Sequence, residues 1–147
     1  VYKLPTERRH TAAERLKLAW AILAAFPGIP CIYYGDETGM EGGRDPFNRM
    51  PFKQNGDESL TGFYRKIGEI RSREAAFAGG KLELVETGIA SQLLFKRVGE
   101  YETIVVAANL SGKNWELEFK TEPLRLFGGK SGKIARIKPD TVEYFKL

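Results

Sequence analysis

With 147 residues, a hydrophobic share of 42% and a charged share of 29%, the chain has the composition of a globular protein, with room for one ordinary domain or a small domain plus an appendage. No apolar run approaches the ~20 residues that cross a bilayer, and one cysteine excludes an internal disulfide framework and supplies no metal-ligand cluster. The net charge of +4 is dispersed among acidic residues, without the block of basic and aromatic side chains that nucleic-acid binding uses, so no nucleic-acid partner is expected.

Residues 1–5 carry neither a start methionine nor an apolar leader, as expected of a piece of a longer protein. Thr11-Ala12-Ala13-Glu14 has the spacing of a capping box, in which the threonine oxygen accepts the Glu14 N–H and the glutamate reaches back. Beyond it Leu16, Trp20 and Leu23 share a face that Leu18, Ile22 and Phe26 widen, which predicts a largely covered helix over 12–25, stopped by Pro27-Gly28. The short apolar run 31–34 reads as a strand buried on both faces, the kind found in parallel sheets, with Cys31 a small buried hydrophobe. At least one of Tyr33 and Tyr34 should then point into the core, because adjacent strand residues alternate faces.

Gly35-Asp36-Glu37 turns the chain, and 39–51, rich in glycine, charge and proline, reads as a long loop. Leu60, Phe63, Ile67 and Ile70 form the stripe of a second helix over 60–73, with Asp57 or Ser59 placed to cap it. After Gly79-Gly80 the period changes to alternation. Strands are predicted over 81–86, 91–98, 101–110, 114–120, 124–127, 133–137 and 141–147, separated by glycine and proline turns, a pattern that suggests an antiparallel β-sandwich. Trp20 and Trp115 occupy core-facing positions of their patterns.

In the loop, Asp45-Pro46 is a favoured helix start, the acid as N-cap and the proline at the first helical position. Arg49 would follow one turn later, near enough to act with Asp45. A carboxylate accepting from hydroxyls beside a guanidinium donating to them suits a neutral polyhydroxylated ligand, although a cap and local ion pair would serve structure alone. Tyr33, Tyr34, Phe47 and Phe52 offer faces on which a sugar ring can stack. Asp36 and Glu37 are not a glycosidase pair: retaining enzymes hold two carboxyl groups ~5–5.5 Å apart across the scissile bond, whereas sequence neighbours at a strand end point apart. His10 stands alone, with no ligand set around it.

Gly28-Ile29-Pro30, the run Ile32-Tyr33-Tyr34-Gly35-Asp36-Glu37, Gly39-Met40, and Asp45-Pro46-Phe47-Asn48-Arg49-Met50-Pro51 together resemble the last barrel strand and following loop of the alpha-amylase superfamily, glycoside hydrolase family thirteen. Members near this pattern include neopullulanases, maltogenic amylases and amylopullulanases. The resemblance implies an α+β fragment: the last strand-helix unit of a TIM (β/α)8 barrel in residues 1–78, then an all-β C-terminal sandwich in 79–147. It implies that Asp45 and Arg49 bind glucose units on the non-reducing side of the cleavage point and that Asp36 and Glu37 are structural, cleft-lining residues; of the aromatic candidates, Tyr34 and Phe47 are expected to bind substrate with them. Family enzymes cleave α-glucosidic bonds with retention. Their nucleophilic aspartate, general-acid glutamate and stabilising aspartate follow earlier barrel strands, the last in an Asn-His-Asp motif that Arg9-His10-Thr11 does not match.

No catalytic residue and no metal site is therefore expected here, and the chain alone should lack hydrolase activity. The implied partner is an α-glucan, with no cofactor in this stretch; calcium in the parent enzyme is left open, as is the choice between α-1,4 and α-1,6 bonds. The alternative reading is a non-catalytic carbohydrate-binding or structural β module of amylase ancestry. In either case the run 31–34 lacks sheet neighbours within the chain, so it should be rearranged, disordered, or paired with another copy in a homo-oligomer.

Overall fold

A computed structural model describes residues 5–147. Helix α1 (Thr6–Ala25) is followed by an irregular segment with one 3₁₀ turn at Asp36–Thr38, then α2 (Glu58–Arg73) and the short α3 (Ala75–Gly79). Seven strands complete the chain: β1 (Lys81–Val85), β2 (Gln92–Val98), β3 (Thr103–Asn109), β4 (Trp115–Glu118), β5 (Leu124–Phe127), β6 (Ile134–Ile137) and β7 (Thr141–Lys146). Each lies inside the range that alternation predicts, and every pairing is antiparallel.

The strands form a five-stranded sheet in the order β1-β2-β3-β7-β5 and a two-stranded sheet of β4 and β6. Alternation along the central strand β3 divides its side chains between two cores. Ile104, Val106 and Ala108 meet the helices, packing with Leu18, Trp20, Leu60, Ile67 and Phe77. Val105 and Ala107 face the small sheet, packing with Trp115, Ala135, Ile137 and Phe145. Both faces of the larger sheet are thus covered, and the larger core is shared between the helical part and the β part of the chain. The 78/79 division falls inside α3.

Three sequence expectations are corrected. Thr11 does not cap a helix: α1 begins at Thr6 after Pro5, and the Thr11 hydroxyl, now inside the helix, donates to the Glu7 carbonyl. Thr6 to His10 are compatible with helix and the fixed φ of Pro5 opens it, so the capping-box spacing is overridden by an earlier start. The run 31–34 is not a strand. Cys31 is exposed, as are both Tyr33 (55%) and Tyr34 (42%), because among the described residues no strand lies beside the run to accept its backbone groups or cover its side chains. Within the single chain the run is irregular.

Buried charge stitches the layers together. Arg97 of β2 is 1% exposed and donates to the carbonyls of Ala25 (2.8 Å), Phe77 (3.1 Å) and Gly80 (2.9 Å). Burial pulls its pKa down, and Arg71 adds to the effect. In the same cross-strand row, beyond Ile104, Lys146 of β7 pairs with Glu74 at 2.8 Å and with Glu102, whose other oxygen accepts the Ala76 N–H at 2.8 Å.

Candidate functional site

The segment between α1 and α2 is shaped by its glycines and by side-chain bonds to its own backbone. Gly35 sits at φ +94°, and a β-carbon there would stand 2.6 Å from the Met40 sulfur, so glycine is required on both counts. The Glu37 carboxylate accepts the Gly35 N–H at 2.9 Å, closing the turn that its own residue belongs to. Two bonds tie this turn to α2. The Thr61 hydroxyl donates to the Glu37 carbonyl at 2.8 Å, and the Asp57 N–H donates to the Thr38 carbonyl at 2.9 Å. Asp57 in turn caps α2 by accepting the Leu60 N–H at 3.1 Å.

Asp36 lies beside Glu37, and burial first, then that neighbouring carboxylate, push its carboxyl above the usual range. Tyr64, stacked on Trp20 with ring centroids 4.8 Å apart, is raised to about 12 by burial and by Asp36 and Glu37. Glu37 is thus committed to holding a turn. Asp36 and Glu37 belong to one consecutive 3₁₀ turn, Asp36–Thr38, rather than to facing elements.

The outer loop folds back over the exposed tyrosines. The Tyr34 hydroxyl donates to the Met50 carbonyl at 2.9 Å and the Tyr33 hydroxyl to the Asn48 carbonyl at 3.4 Å, their rings 5.0 Å apart. The Asp45–Pro46 peptide is cis, and the Phe47 N–H donates to the Arg44 carbonyl at 2.8 Å. This is a tight turn, so the helix start expected at Asp45-Pro46 does not form. The Arg49 N–H donates to the Pro46 carbonyl at 3.0 Å, and that second turn brings the Arg49 guanidinium to Asp45 at 3.1 Å. Both side chains are largely exposed, and so is the Phe47 ring at 62%. Asp45, Phe47 and Arg49 thus share one exposed loop, to which Tyr34 is tied through the Met50 carbonyl, while Asp36 and Glu37 belong to the inner turn.

Such a loop offers an anionic acceptor, a cationic donor and apolar ring faces to solvent. Below it lies a cavity of about 570 Å³ between the first turns of α1 and residues 38–42, 56, 57 and 60, spanned by an Arg9–Glu41 ion pair of 2.5 Å. Among the described residues no three His, Cys, Asp or Glu side chains gather as a metal site. Sequence patterns did not single out Arg71, which places the loop's entry: its guanidinium donates to the carbonyls of Ala24, Phe26 (3.2 Å) and Gly28. The only signal was a basic residue in the last turn of α2; its partners lie in the distant end of α1.

No family model matches the chain. A cyclomaltodextrinase of Thermoanaerobacter pseudethanolicus is 34% identical over 156 residues, covering 96% of this chain and 27% of that protein. An amylopullulanase of Thermoanaerobacter thermohydrosulfuricus is 42% identical over 73 residues, which are 49% of this chain and 5% of that protein. Among solved structures, an Anoxybacillus alpha-amylase superposes with a TM-score of 0.83 at 32% identity, covering 91% of this chain and 32% of that one. The alpha-amylase of Geobacillus thermoleovorans, solved in complex with acarbose, superposes with a TM-score of 0.81 at 27% identity, over 91% of this chain and 33% of that one. The chain spans about a twentieth of the amylopullulanase and about a quarter of the cyclomaltodextrinase.

Proposed function

Since the chain belongs to the alpha-amylase superfamily, glycoside hydrolase family thirteen, and matches the C-terminal region of its members, we propose that it is the C-terminal part of a retaining glycosidase acting on α-glucans. Residues 1–78 are assigned to the last strand-helix unit of a (β/α)8 barrel and 79–147 to the C-terminal β-sandwich. The uncovered run from Ile29 (96% exposed) through Tyr34 supports the first assignment: an apolar segment with no sheet beside it is what remains of a barrel strand without its neighbours. The second core, between the five-stranded and two-stranded sheets, supports the other. The same uncovered run is where the remainder of a barrel, or failing that a second copy of the chain, would pair.

The observation that carries the reading is the Asp45–Arg49 pair, 3.1 Å apart on an exposed loop that also carries the exposed Phe47 ring and whose Met50 carbonyl accepts from Tyr34. A carboxylate and a guanidinium held this way present acceptor and donor to adjacent hydroxyls of one glucose unit, and the rings receive its C–H face. In this role Asp45 and Arg49 bind and orient the glucan. The nucleophile, the general acid and the stabilising aspartate would come from upstream of residue 1, and no metal or cofactor is assigned to this stretch.

Titration of the pure chain with maltotriose, followed by amide and Arg Nε–H NMR shifts, tests the reading. Weak binding is expected, with shifts confined to residues 44–50 and to Tyr34, abolished in Asp45→Ala, and with no reducing sugar released from starch or pullulan. Shifts that persist unchanged in Asp45→Ala would remove the subsite. Shifts centred on the strands instead would favour a carbohydrate-binding β module of amylase ancestry. Release of reducing sugar would overturn the catalytic incompleteness.

A further inference from the structure

We propose that Asn55-Gly56 is a spontaneous deamidation site, whose isoaspartyl product uncouples the inner turn of the site loop from α2. Both residues lie exposed in the bend that immediately precedes the Asp57 cap. Asparagine is thermolabile in exposed loops, and its main route of loss is attack by the backbone nitrogen of the following residue on its own side-chain carbonyl. Glycine in that following position leaves the nitrogen unshielded. Here glycine cannot be exchanged for protection, because a β-carbon at Gly56 would stand 2.2 Å from the Thr38 carbonyl oxygen. Nor is its N–H held back: the loop's bond to the inner turn runs from the next residue, Asp57, to Thr38.

The step balances without a co-reactant other than water. The Gly56 nitrogen forms a bond to Asn55 Cγ, the Cγ–Nδ2 bond breaks, and ammonia leaves with the amide proton. Water then opens the resulting succinimide at either carbonyl, giving aspartate or isoaspartate. No group is oxidised or reduced. Other asparagines lack these conditions. Asn109 is fully buried, its amide donating to the carbonyls of Lys113 (2.7 Å) and Ile137 (3.0 Å), and Asn48 and Asn114 are followed by Arg49 and Trp115, whose side chains crowd the nitrogen.

Isoaspartate routes the main chain through the former side chain and lengthens it by one carbon just before Gly56. Gly56 is already packed against Thr38, while Asp57 both donates to Thr38 at 2.9 Å and accepts from Leu60 at 3.1 Å. The extra atom moves Asp57 out of register with one partner or the other.

The test is to age the full 147-residue chain in native buffer at neutral and mildly alkaline pH, and to map it by peptide mass and isoaspartyl-specific methylation. Charge-separated fractions are then compared by melting and by amide hydrogen exchange. Asn55 is expected to convert several-fold faster than Asn48 or Asn114. The isoaspartyl fraction should melt lower and lose protection at Asp57 and Leu60, Asn55→Asp should melt like fresh protein, and Asn55→Gln should not convert. Conversion of Asn55 no faster than Asn48, unchanged protection in the isoaspartyl fraction, or an equal loss in Asn55→Asp would each overturn the proposal.

Discussion

Arg97 lies 1% exposed on β2 and directs its guanidinium at backbone carbonyls of α1 and of the α3 end, with no carboxylate paired to it among the described residues. The carbonyls it serves are those left open where helices terminate, and a cation there also complements the negative ends of the helix dipoles. Arg97→Met would keep much of the volume and strip the donors from two buried acceptors and the part-buried Gly80 carbonyl, each buried one worth roughly 1–3 kcal/mol when left unsatisfied. We therefore expect a loss of at least ~2 kcal/mol in urea unfolding, a large share of the ~5–15 kcal/mol that holds a typical domain together. The Asp45–Arg49 pair is the opposite case. With both side chains mostly in water, it contributes ~0–1 kcal/mol to stability, so Asp45→Ala should leave the melting transition almost unmoved while abolishing the maltotriose response. That contrast separates a binding pair from a structural one.

At the scale of the element, the two long helices begin in different ways. Asp57 accepts the Leu60 N–H at the start of α2, so Asp57→Ala should cost ~1 kcal/mol. Thr11 sits inside α1 and its hydroxyl donates to the Glu7 carbonyl, so Thr11→Ala should lie within ~0.5 kcal/mol of the parent. Equal losses in the two variants, measured by thermal melting, would restore the capping box. Asp57 could be read from sequence because a cap bonds to residues within one turn of itself. The run 31–34 could not be read correctly, because a strand exists only where other strands pair with it. Its apolar residues signal burial, and the burying partner is not among the described residues.

Across the whole molecule, acid and base stability trace to one cluster joining the helices to the sheet edge. Burial alone would raise Glu74, but its bonds to Lys146 and Arg73 outweigh that and leave its carboxyl below the ordinary value of 4.5. The bond from Lys146 likewise lowers Glu102, and Lys146 itself is raised above 10.5 by Glu102 and Glu74. A lowered carboxylate stabilises the fold above its unfolded pKa, and that contribution is lost as pH falls through the folded one. A raised lysine stabilises below its unfolded pKa and is lost as pH rises through the folded one. Stability from this cluster should thus hold between about pH 4.5 and 10.5 and fall on both sides. Tyr64, raised to about 12, adds to the alkaline limb. In Lys146→Met, melting measured against pH should show a shallower acid limb, because Glu74 and Glu102 return toward their ordinary values.

What the sequence determined by itself lies among near neighbours, although the capping box at Thr11 and the helix start at Asp45-Pro46 were overridden. It set the stripe of α2, the seven alternating strands within their ranges, the Asp57 cap and the loop motif that groups Asp45, Phe47 and Arg49. In α1 the expected face was misplaced: Leu23 is 50% exposed, and Leu18, Ala21, Ala24 and Ala25 are buried with Trp20. Periodicity and turn chemistry act within a few residues, so they are legible there. Tertiary structure alone decided that β3 serves two cores, that Arg97 and Arg71 close the end of α1, and that Glu74, Glu102 and Lys146 meet. Those contacts join residues far apart in the chain, and each depends on how the sheet lies on the helices rather than on any local preference. The fate of 31–34 is of the same kind: its pattern asks for burial, and only the presence or absence of neighbouring strands answers it.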